Sequence, residues 1–455
     1  MIGSVRAGEF SSVALAGLSA SLVRISATIA RGADHSLRIT GLREADIDTT
    51  RRRVVGALDP IRRYESYGTS IAIDVSPAGT PNDGALDLAL AMAFLLTLEQ
   101  VSLPSMVAIG ELSTSGELRH VRGVLPALRG AAVHGIQHAI VPRANAPEAA
   151  QAGLEVRVVD HLRDVHAFVR GARRLDRARP SRLKRSEDER DLAEKPWFPA
   201  PVRRALEIAA AGQHPILLIG GSGRTALALR LPALLPSMTT AEAIEATSIH
   251  SVAGQLDAEQ GLLTGRPLRL PHHLSVRTDK LFGDPVRPGE VSLAHGGVLL
   301  LDDLLAFRRS DLATLAAVLA KGESFGFPAR PLLVGASRAC PCGFRGDPAR
   351  SCRCTSARIE RHDRRLRSLF DLLFQMQVVM PPVFDKAEPE RSEAVRRRVT
   401  AARIVQATRS RESEARRASA NDWSKVLRVA RTIADLDACN SVRERHVDEA
   451  SKFMP

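Results

Sequence analysis

HPILLIGGSGRTALALRLP, residues 214–232, sets the architecture of the central part of this 455-residue chain. An apolar run is followed by a glycine-rich loop and then by a helical pattern, which is the order that builds a phosphate-binding loop. The intact pattern is Gly, four residues and Gly-Lys-Ser/Thr, so that loop amides surround the phosphates and the Lys reaches the terminal ones. Here only two residues separate Gly220 from Gly223, and Arg224 stands in place of the Lys. The stretch predicts a nucleotide site or a degenerate form of one.

A second apolar run, GGVLLLDDL at 296–304, ends in two carboxylates. A buried strand here would present Asp302 and Asp303 at the sheet edge where open α/β sheets bind ligands. In a nucleotide hydrolase the first carboxylate holds Mg²⁺ through water and the second polarises the attacking water. The alternative is that the pair caps a following helix. The glycine loop upstream favours the nucleotide interpretation.

Charge is the unusual feature of the composition, since 64 Lys+Arg against 51 Asp+Glu gives a net charge of +13. A basic excess favours a polyanionic partner, nucleic acid before membrane, although solubility alone would also account for it. The apolar stretch 85–98 is interrupted by Asp87 and is too short to cross a bilayer, so we expect no membrane association. Four of the five cysteines lie between Cys340 and Cys354, which favours a reducing cytoplasm over a distributed disulfide framework.

The chain length predicts roughly three domains. Short β-like runs alternate with helical ones near the N-terminus, and helical spacing at 426–436 is followed by a capping box of Ser441 and Glu444 that predicts a final helix. The predicted sections are an α/β or α+β domain over 1–172, a solvated charged linker over 173–195, an α/β core over 196–385 and a small all-α domain over 386–455.

Several motifs together resemble the magnesium-chelatase-like AAA+ proteins of the ComM/YifB type, and the resemblance covers essentially the whole chain. In the second and last sections the matching segments are RRALEIAAAG (203–212), the glycine loop, LRLPALLP (229–236), SIHSVAG (248–254), LPHH (270–273), RPGEVSLAHGGVLLLDDL (287–304), CPCGFRGDP (340–348), CRCT (352–355) and VLRVARTIADL (426–436). In the first section they are IGELSTSGELRHVRGVLPAL (109–128) and IVPRANAPEA (140–149).

The resemblance implies an α/β fold with three parts: a Lon-protease-like N-terminal domain of the ribosomal S5 domain 2-like fold, a P-loop AAA+ core and a small helical C-terminal lid. It also implies an ATP-fuelled hexameric ring, and the ComM branch is associated with DNA branch migration during natural transformation. The residues that fall on the ATP and Mg²⁺ site are Gly220, Gly221, Ser222, Gly223, Arg224, Thr225 and Asp302, with Asp303 on the catalytic base.

The nucleotide site departs from the family pattern at several of these positions. Two loop residues are missing before Gly223, although Thr225 keeps the magnesium-binding hydroxyl. Arg224 replaces the family Lys, and a planar, forked guanidinium does not substitute simply for an ammonium point charge. Asp303 replaces the family Glu and is one methylene shorter, which would draw the base away from the water.

Four further departures follow along the chain. Arg338 falls on the sensor Asn, Leu372 on a candidate arginine finger, Asn421 on the lid sensor Arg, and Phe198-Pro199 on the Gly-Gln pair near the adenine. Removing one positioned transition-state charge costs on the order of a thousandfold in phosphoryl transfer. Together these changes predict little ATPase activity.

The N-terminal domain has lost a second set of catalytic residues. Lon-type peptidases use a Ser nucleophile after an Asp-Gly turn, assisted by a Lys on a later element. The equivalent positions here are Leu86, in PNDGALDL, and Leu125. Because neither side chain can act as nucleophile or base, we expect no peptidase activity.

The four clustered cysteines, Cys340, Cys342, Cys352 and Cys354, are spaced C-x-C, nine residues, C-x-C. That arrangement suits a structural Zn²⁺ held by four thiolates, with reduced thiols or a redox pair as the alternatives. Arginines crowd the same region and predict a contact to the phosphate backbone of DNA, unless they are simply solvated. They are Arg345, Arg350, Arg353, Arg358, Arg361, Arg364, Arg365 and Arg367.

With two Trp and two Tyr, the chain offers little base-stacking surface, so DNA binding is expected to follow shape and charge rather than sequence. His272, His273 and His295 lie in motifs of the fold and are given no ligand role. Three functions stay open: a DNA-associated ring subunit with weak or lost ATP hydrolysis, a working divergent motor on branched DNA, and a non-catalytic partner of an intact paralogue, assembled as a hetero-oligomer. The accumulated departures favour the first.

Overall fold

The computed structural model describes residues 6–31, 37–62, 69–180, 190–194, 199–221, 223–256, 261–347, 349–380, 390–414 and 425–455. Packing divides the chain into two compact units. The first unit comprises Met1–Lys184, Ala243–Leu263 and Pro285–Arg287, and the second comprises Arg185–Glu242, Thr264–Asp284 and Pro288–Pro455. The finer domain boundaries given above stay predictions.

In the described part of the first unit, an eight-stranded mixed sheet has the order β10-β9-β8-β5-β1-β2-β4-β3. The strands are β1 Arg6–Ala16, β2 Ser19–Arg31, β3 Leu37–Thr40, β4 Thr69–Ser76, β5 Met106–Ala108, β6 Glu111–Leu112, β7 Leu118–Arg119, β8 His138–Pro142, β9 Glu155–Val159 and β10 Asp176–Arg177, of which β6 and β7 form a separate pair. The helices are α1 Glu44–Arg62, α2 Asp87–Glu99, α3 Val124–Val133, α4 Ala146–Ala149 and α5 Leu162–Val169.

Helix α2 is the centre of the first unit's core. Its residues from Asp87 to Leu98 are all buried, because α2 is apolar on every side. Strand β2 alternates apolar and polar residues, and its Val23, Ile25 and Ala27 are fully buried against this core.

Ala243–Leu263 packs within the first unit, although the sequence predicts it inside the section 196–385. Long-range hydrogen bonds give the reason. The Ser251 hydroxyl donates to the buried Glu148 carboxylate at 2.5 Å and accepts from the Gly123 N–H at 3.1 Å. Leu262 is buried in the same apolar cluster as α3.

The described part of the second unit is built on a five-stranded parallel sheet in the order β12-β13-β16-β11-β17. The strands are β11 Ile216–Gly220, β12 Leu268–Arg269, β13 Val298–Leu301, β14 Glu323–Ser324, β15 Phe327–Pro328, β16 Leu332–Ser337 and β17 Met376–Met380, of which β14 and β15 form a separate hairpin. The helices of this unit before the last section are α6 Ala200–Gly212, α7 Arg224–Ala228, α8 Leu231–Leu234, α10 Thr278–Phe282, α11 Glu290–Leu293, α12 Arg309–Lys321 and α13 Ser356–Leu373. Helix α9, Thr240–Ala253, begins in this unit, and from Ala243 onwards it belongs to the first unit.

The central strands of this sheet are apolar throughout because both faces are covered. Leu218 and Leu300 contact the core on one face, and Leu217 and Leu299 contact the core on the other. The prediction of a buried strand before Asp302 is confirmed, since Val298–Leu301 is buried at every position.

The last section is helical, as predicted, with α14 Ser392–Glu414, α15 Lys425–Leu436 and α16 Glu444–Ser451. The predicted capping box at Ser441 is wrong, because α16 begins later. The N–H of Arg443 instead donates to Nδ1 of His446 at 3.0 Å.

The predicted solvated linker contains ordered contacts at both ends. Strand β10 pairs antiparallel with β9, and Leu192 is buried in the second unit with its N–H donating to Ser392 Oγ at 2.7 Å. Among the described residues, no helix combines the length and apolarity that a membrane crossing requires.

Candidate functional site

The predicted nucleotide residues meet at one edge of the parallel sheet. The glycine loop follows β11, the two aspartates follow β13 and Arg338 follows β16. Because these three strands are parallel neighbours, their carboxyl ends lie side by side, as in other ligand-binding α/β sheets.

Glycines allow the loop to turn sharply from β11 into α7. Gly220 has a φ of +123° and Gly223 a φ of +94°, conformations that favour glycine. A Cβ on Gly220 would lie 2.9 Å from the carbonyl oxygen of Met380, so the neighbouring strand also requires glycine here. Gly221 faces open space, and Ser222 lies outside the described residues.

Arg224 binds its own loop. Its Nη1 donates to the carbonyl oxygens of Gly220 and Gly221. In a phosphate-binding loop the N–H groups face the anion, whereas here two carbonyls face a guanidinium. Burial lowers the pKa of Arg224, an effect that the neighbouring Asp302 and Asp303 offset in part, and its Nε is buried without a hydrogen-bond partner among the described residues.

The two residues predicted to hold Mg²⁺, Thr225 and Asp302, lie in contact. Thr225 Oγ1 donates to Asp302 Oδ2 at 2.8 Å, and the Asp303 N–H donates to Asp302 Oδ1 at 3.0 Å. A hydroxyl beside a carboxylate supplies the hard oxygen ligands that Mg²⁺ prefers.

Asp303 and Arg338, which the sequence predicts at the positions of the family's catalytic base and sensor, are paired with each other. Asp303 Oδ1 lies 3.5 Å from Arg338 Nε, and both side chains are about half exposed. Asp303 also adopts a left-handed backbone with a φ of +48°, which is uncommon for a residue other than glycine. The predicted base is therefore held by a guanidinium.

ATP and Mg²⁺ therefore fit these residues only in part. Thr225 and Asp302 would hold the metal ion, but Arg224 fills the place where the β- and γ-phosphates would contact loop amides. The helix that follows, α7, has five residues, so its dipole adds little attraction for an anion.

Of the remaining departures from the family pattern, the structure describes the one at Leu372. Leu372 lies near the end of α13 with 46% of its surface exposed, so the predicted finger position carries an aliphatic side chain that cannot donate to a phosphate. Phe198 and Asn421 lie outside the described residues.

The four predicted metal ligands converge. The ligand atoms of Cys340, Cys342, Cys352 and Cys354 all lie within 4.8 Å of one another, and every cysteine is a free thiol. The sulfur of Cys340 is 3.4 Å from that of Cys342 and 3.7 Å from that of Cys352. Tetrahedral Zn²⁺ with Zn–S bonds of about 2.3 Å places its sulfurs about 3.8 Å apart, so this donor set fits zinc.

Backbone amides prepare one of these thiols for metal binding. The N–H groups of Phe344 and Arg353 donate to the sulfur of Cys342 and lower the pKa of that thiol to about 6. Because the thiolate is the form that binds metal, this environment favours coordination by Cys342. Desolvation and hydrogen bonds among the thiols instead raise the pKa of Cys352 to about 11 and also raise the pKa of Cys354.

A buried histidine bridge lies at the start of β11, and sequence patterns did not predict it. His214 donates from Nδ1 to Gln375 Oε1 at 2.7 Å, and its Nε2 lies 2.8 Å from Thr432 Oγ1. Burial lowers the pKa of His214 to about 4, so the ring is neutral and joins β11 to the helical section. The partners are 161 and 218 residues away, which local patterns cannot reveal.

In the first unit, both positions predicted to align with a peptidase nucleophile and base are inaccessible. Leu86 and Leu125 are fully buried in apolar clusters. Beside Leu86, the buried Asp87 is paired with Arg53 and accepts a hydrogen bond from Asn82 Nδ2 at 2.9 Å.

This combination of folds and motifs has counterparts among known proteins. The family description "Magnesium chelatase, subunit ChlI" matches residues 199–387, "Subunit ChlI of Mg-chelatase" matches 25–145, and "Magnesium chelatase, subunit ChlI C-terminal" matches 410–454.

This chain is also similar in sequence to individual proteins, of which three are described. The chain is 32% identical to YifB of Escherichia coli, over 96% of this chain and 95% of YifB. It is 31% identical to the competence protein ComM of Haemophilus influenzae, over 95% of this chain and 94% of ComM. The DNA repair protein RadA of Escherichia coli is 29% identical over 35% of each chain. Since two of these relatives match over nearly the full length, the chain belongs to the magnesium-chelatase-like family of the ComM/YifB type.

Proposed function

We propose that this protein is a DNA-associated member of its family in which ATP hydrolysis is weak or lost. One observation carries the proposal: Arg224 is bound to the carbonyls of Gly220 and Gly221. ATP could enter only after this guanidinium had left two hydrogen bonds inside a partly buried loop, and the loop would then have to turn its amides inward.

The catalytic positions support the same conclusion. Asp303 is shorter than the Glu that the resemblance implies, and Arg338 holds it at 3.5 Å. Leu372 supplies no charge to a neighbouring subunit's nucleotide. Each lost transition-state charge lowers phosphoryl transfer on the order of a thousandfold, so the combined loss leaves little turnover.

The association with DNA rests on charge and on relatives. The chain carries a net charge of +13, and exposed arginines are concentrated on α13 and the cysteine loop. One relative is by its name a DNA repair protein and another a competence protein. Contacts of this kind neutralise phosphates and do not read bases, so we expect sequence-independent binding.

We propose a structural Zn²⁺ for Cys340, Cys342, Cys352 and Cys354, and an oligomeric ring for the whole chain. The zinc would pin the arginine-bearing loop between β16 and α13. Mass spectrometry under native conditions, with and without a chelator, tests both proposals. Loss of one zinc per chain on chelation is the expected result, and a metal-free native mass would exclude the ion.

Steady-state ATP hydrolysis by the full-length protein tests the main proposal. We expect wild-type turnover, with Mg²⁺ and with or without branched DNA, to equal that of the Asp302→Ala variant. The repaired variant Arg224→Lys/Asp303→Glu/Arg338→Asn should bind a fluorescent ATP analogue more tightly than wild type. Arg52→Ala, at an exposed position of the first unit, is the matched control and should change nothing.

A different outcome would select another function. Magnesium-dependent turnover that Asp302→Ala abolishes would overturn the proposal and identify a working motor, an alternative favoured by the intact Thr225–Asp302 hydrogen bond. Co-purification with an intact paralogue, combined with a change in that paralogue's turnover, would identify a non-catalytic partner.

A further inference from the structure

A cavity of about 270 Å³ opens between α12, α13 and the turn that follows Asp303. Its interior is apolar, with Phe307, Leu312 and Leu369 among the lining residues. The volume lies below the roughly 300–1,000 Å³ that drug-sized ligands occupy, so the cavity suits a single ring or side chain.

Four guanidinium groups surround this apolar interior. Arg309, Arg361, Arg364 and Arg365 line the cavity and are exposed to solvent. Within the described residues, Arg309 and Arg361 have no carboxylate partner, and Arg364 is 3.6 Å from Glu360 in a pair that is about 70% exposed. A largely uncompensated positive rim around an apolar floor calls for a ligand with a flat apolar part and an adjacent negative charge.

Aromatic rings extend from the cavity wall. His273 packs edge-on against Phe307 with ring centroids 6.0 Å apart, and His272 stacks on His273 at 4.5 Å. The composition predicted little stacking surface, yet the fold joins these three rings at Phe307, a buried residue of the cavity wall. A base of any sequence can stack on an exposed ring, and of these three His272 is exposed, His273 is half-buried and Phe307 is buried.

The positive charge continues along one face of α13. Arg358, Arg361 and Arg365 are spaced i, i+3 and i+7, which places them on the same side of a helix. Arg365 is further fixed by donating to the carbonyl oxygen of Leu305 at 3.1 Å. This row could follow a phosphate backbone past the cavity.

We propose that the cavity receives one unstacked base of a single nucleic-acid strand, while the α13 arginines hold the adjacent phosphates. The inference rests on the proposed DNA association and adds the site and the strand type. A duplex keeps its bases paired and offers no free base face, so it would use the arginines and leave the apolar interior unfilled.

The test compares strands that differ only in their bases. A fluorescein-labelled oligothymidylate, a strand of equal length with abasic positions, and a duplex are titrated with the full-length protein, followed by fluorescence anisotropy. We expect wild type to bind oligothymidylate on the order of tenfold more tightly than the abasic strand, since stacking contributes about 1–3 kcal/mol per base.

Two variants separate the cavity from the charges. Ser368→Leu changes an exposed residue of α13 that lines the cavity, so it should fill the space and remove the preference for bases without changing the salt dependence. Arg361→Ala/Arg364→Ala should weaken binding to every strand and reduce the single-strand salt slope by about 0.7 per lost phosphate contact. Arg52→Ala/Arg129→Ala removes the same charge from exposed positions of the first unit and should do neither.

Each contrary result has a defined meaning. Equal affinity for the thymidylate and abasic strands overturns this inference. So does a loss of affinity in Arg52→Ala/Arg129→Ala equal to that in Arg361→Ala/Arg364→Ala. In either case, binding to the duplex would still support the proposed function. Failure to bind any DNA overturns both. Competition by an oligoglutamate peptide that Ser368→Leu abolishes would assign the cavity to an acidic peptide and also overturn the inference.

Discussion

The two units of this protein have each departed from a catalytic pattern, but in physically different ways. In the first unit, the positions predicted to align with a peptidase nucleophile and base are Leu86 and Leu125, and both are fully buried in apolar clusters. In the second unit, Arg224, Asp303 and Arg338 remain polar and bind their own loop or one another. Apolar packing closes the two positions in the first unit, whereas hydrogen bonds and an ion pair hold the residues in the second. Substituting these residues should therefore change the free energy of unfolding by very different amounts in the two units.

The buried polar groups around Asp87 stabilise the structure of the first unit. Asp87 is inaccessible to solvent, is paired with Arg53 and also accepts hydrogen bonds from Asn82 and from the Leu112 N–H. Burial raises the pKa of Asp87, and the paired guanidinium counteracts that effect. A buried charge held this way cannot be freed for catalysis without a large energetic penalty.

Restoring the peptidase residues is expected to have the largest effect. Leu86→Ser/Leu125→Lys places a hydroxyl and an amine in apolar clusters, and Lys at 125 must either lose its charge or open the core. Lost packing and desolvation together should destabilise the first unit by at least about 5 kcal/mol. Urea unfolding followed by circular dichroism measures the change.

Leu125→Met is the matched control, because it keeps volume and polarity and should cost less than about 1.5 kcal/mol. A double variant that remains folded and cleaves a casein substrate would show that this position is not closed by packing. The proposed difference between the two units would then be wrong for the first unit.

An intermediate effect is expected at His214, which lies at the opposite end of β11 from the glycine loop. Its pKa is about 4 in the folded chain, because burial disfavours the charged ring and Arg428 adds repulsion. The unfolded chain binds this proton near pH 6.5, so the stabilisation is complete above pH 6.5 and is lost as the pH falls towards 4. Between pH 8 and pH 5 the loss should be about 2 kcal/mol.

Urea midpoints of wild type and His214→Gln at these two pH values measure that contribution. The variant should lose this part of the pH dependence, whereas His134→Gln, at an exposed position of the first unit, should keep it. An identical pH response in wild type and His214→Gln would mean that the bridge to Gln375 and Thr432 does not hold the ring neutral.

Much of the sheet architecture could be predicted from the sequence, because local patterns determine it. The apolar runs before Gly220 and Asp302 became β11 and β13, and the alternation in β2 was visible in the residues themselves. Contacts between distant segments were not predictable. Ala243–Leu263 joined the first unit through Ser251 and Glu148, which lie 103 residues apart.

The candidate site likewise has features that local sequence patterns predicted and features that depend on the fold. The spacing of the four cysteines was sufficient to predict that their sulfurs converge. The sequence also identified Arg224 as a departure, but it could not show where the guanidinium points, because that depends on the path of a shortened loop. The ring cluster at His273 and Phe307 required the fold, since no local pattern joins those residues.

The smallest effect is expected at the Asp303–Arg338 pair. The two side chains are 42% and 51% exposed, so solvent and salt screen their attraction, and Arg338→Ala should change the free energy of unfolding by no more than about 1 kcal/mol. Arg345→Ala, which breaks a similarly exposed pair with Asp363, is the matched control. Urea unfolding at low and at high salt should give both variants a free energy of unfolding within about 1 kcal/mol of wild type. A loss of several kcal/mol at Arg338 alone would mean that this pair is part of the fold, as Arg53 and Asp87 are in the first unit. ATP turnover should also stay at the wild-type level in Arg338→Ala, because freeing Asp303 leaves Arg224 bound to the loop.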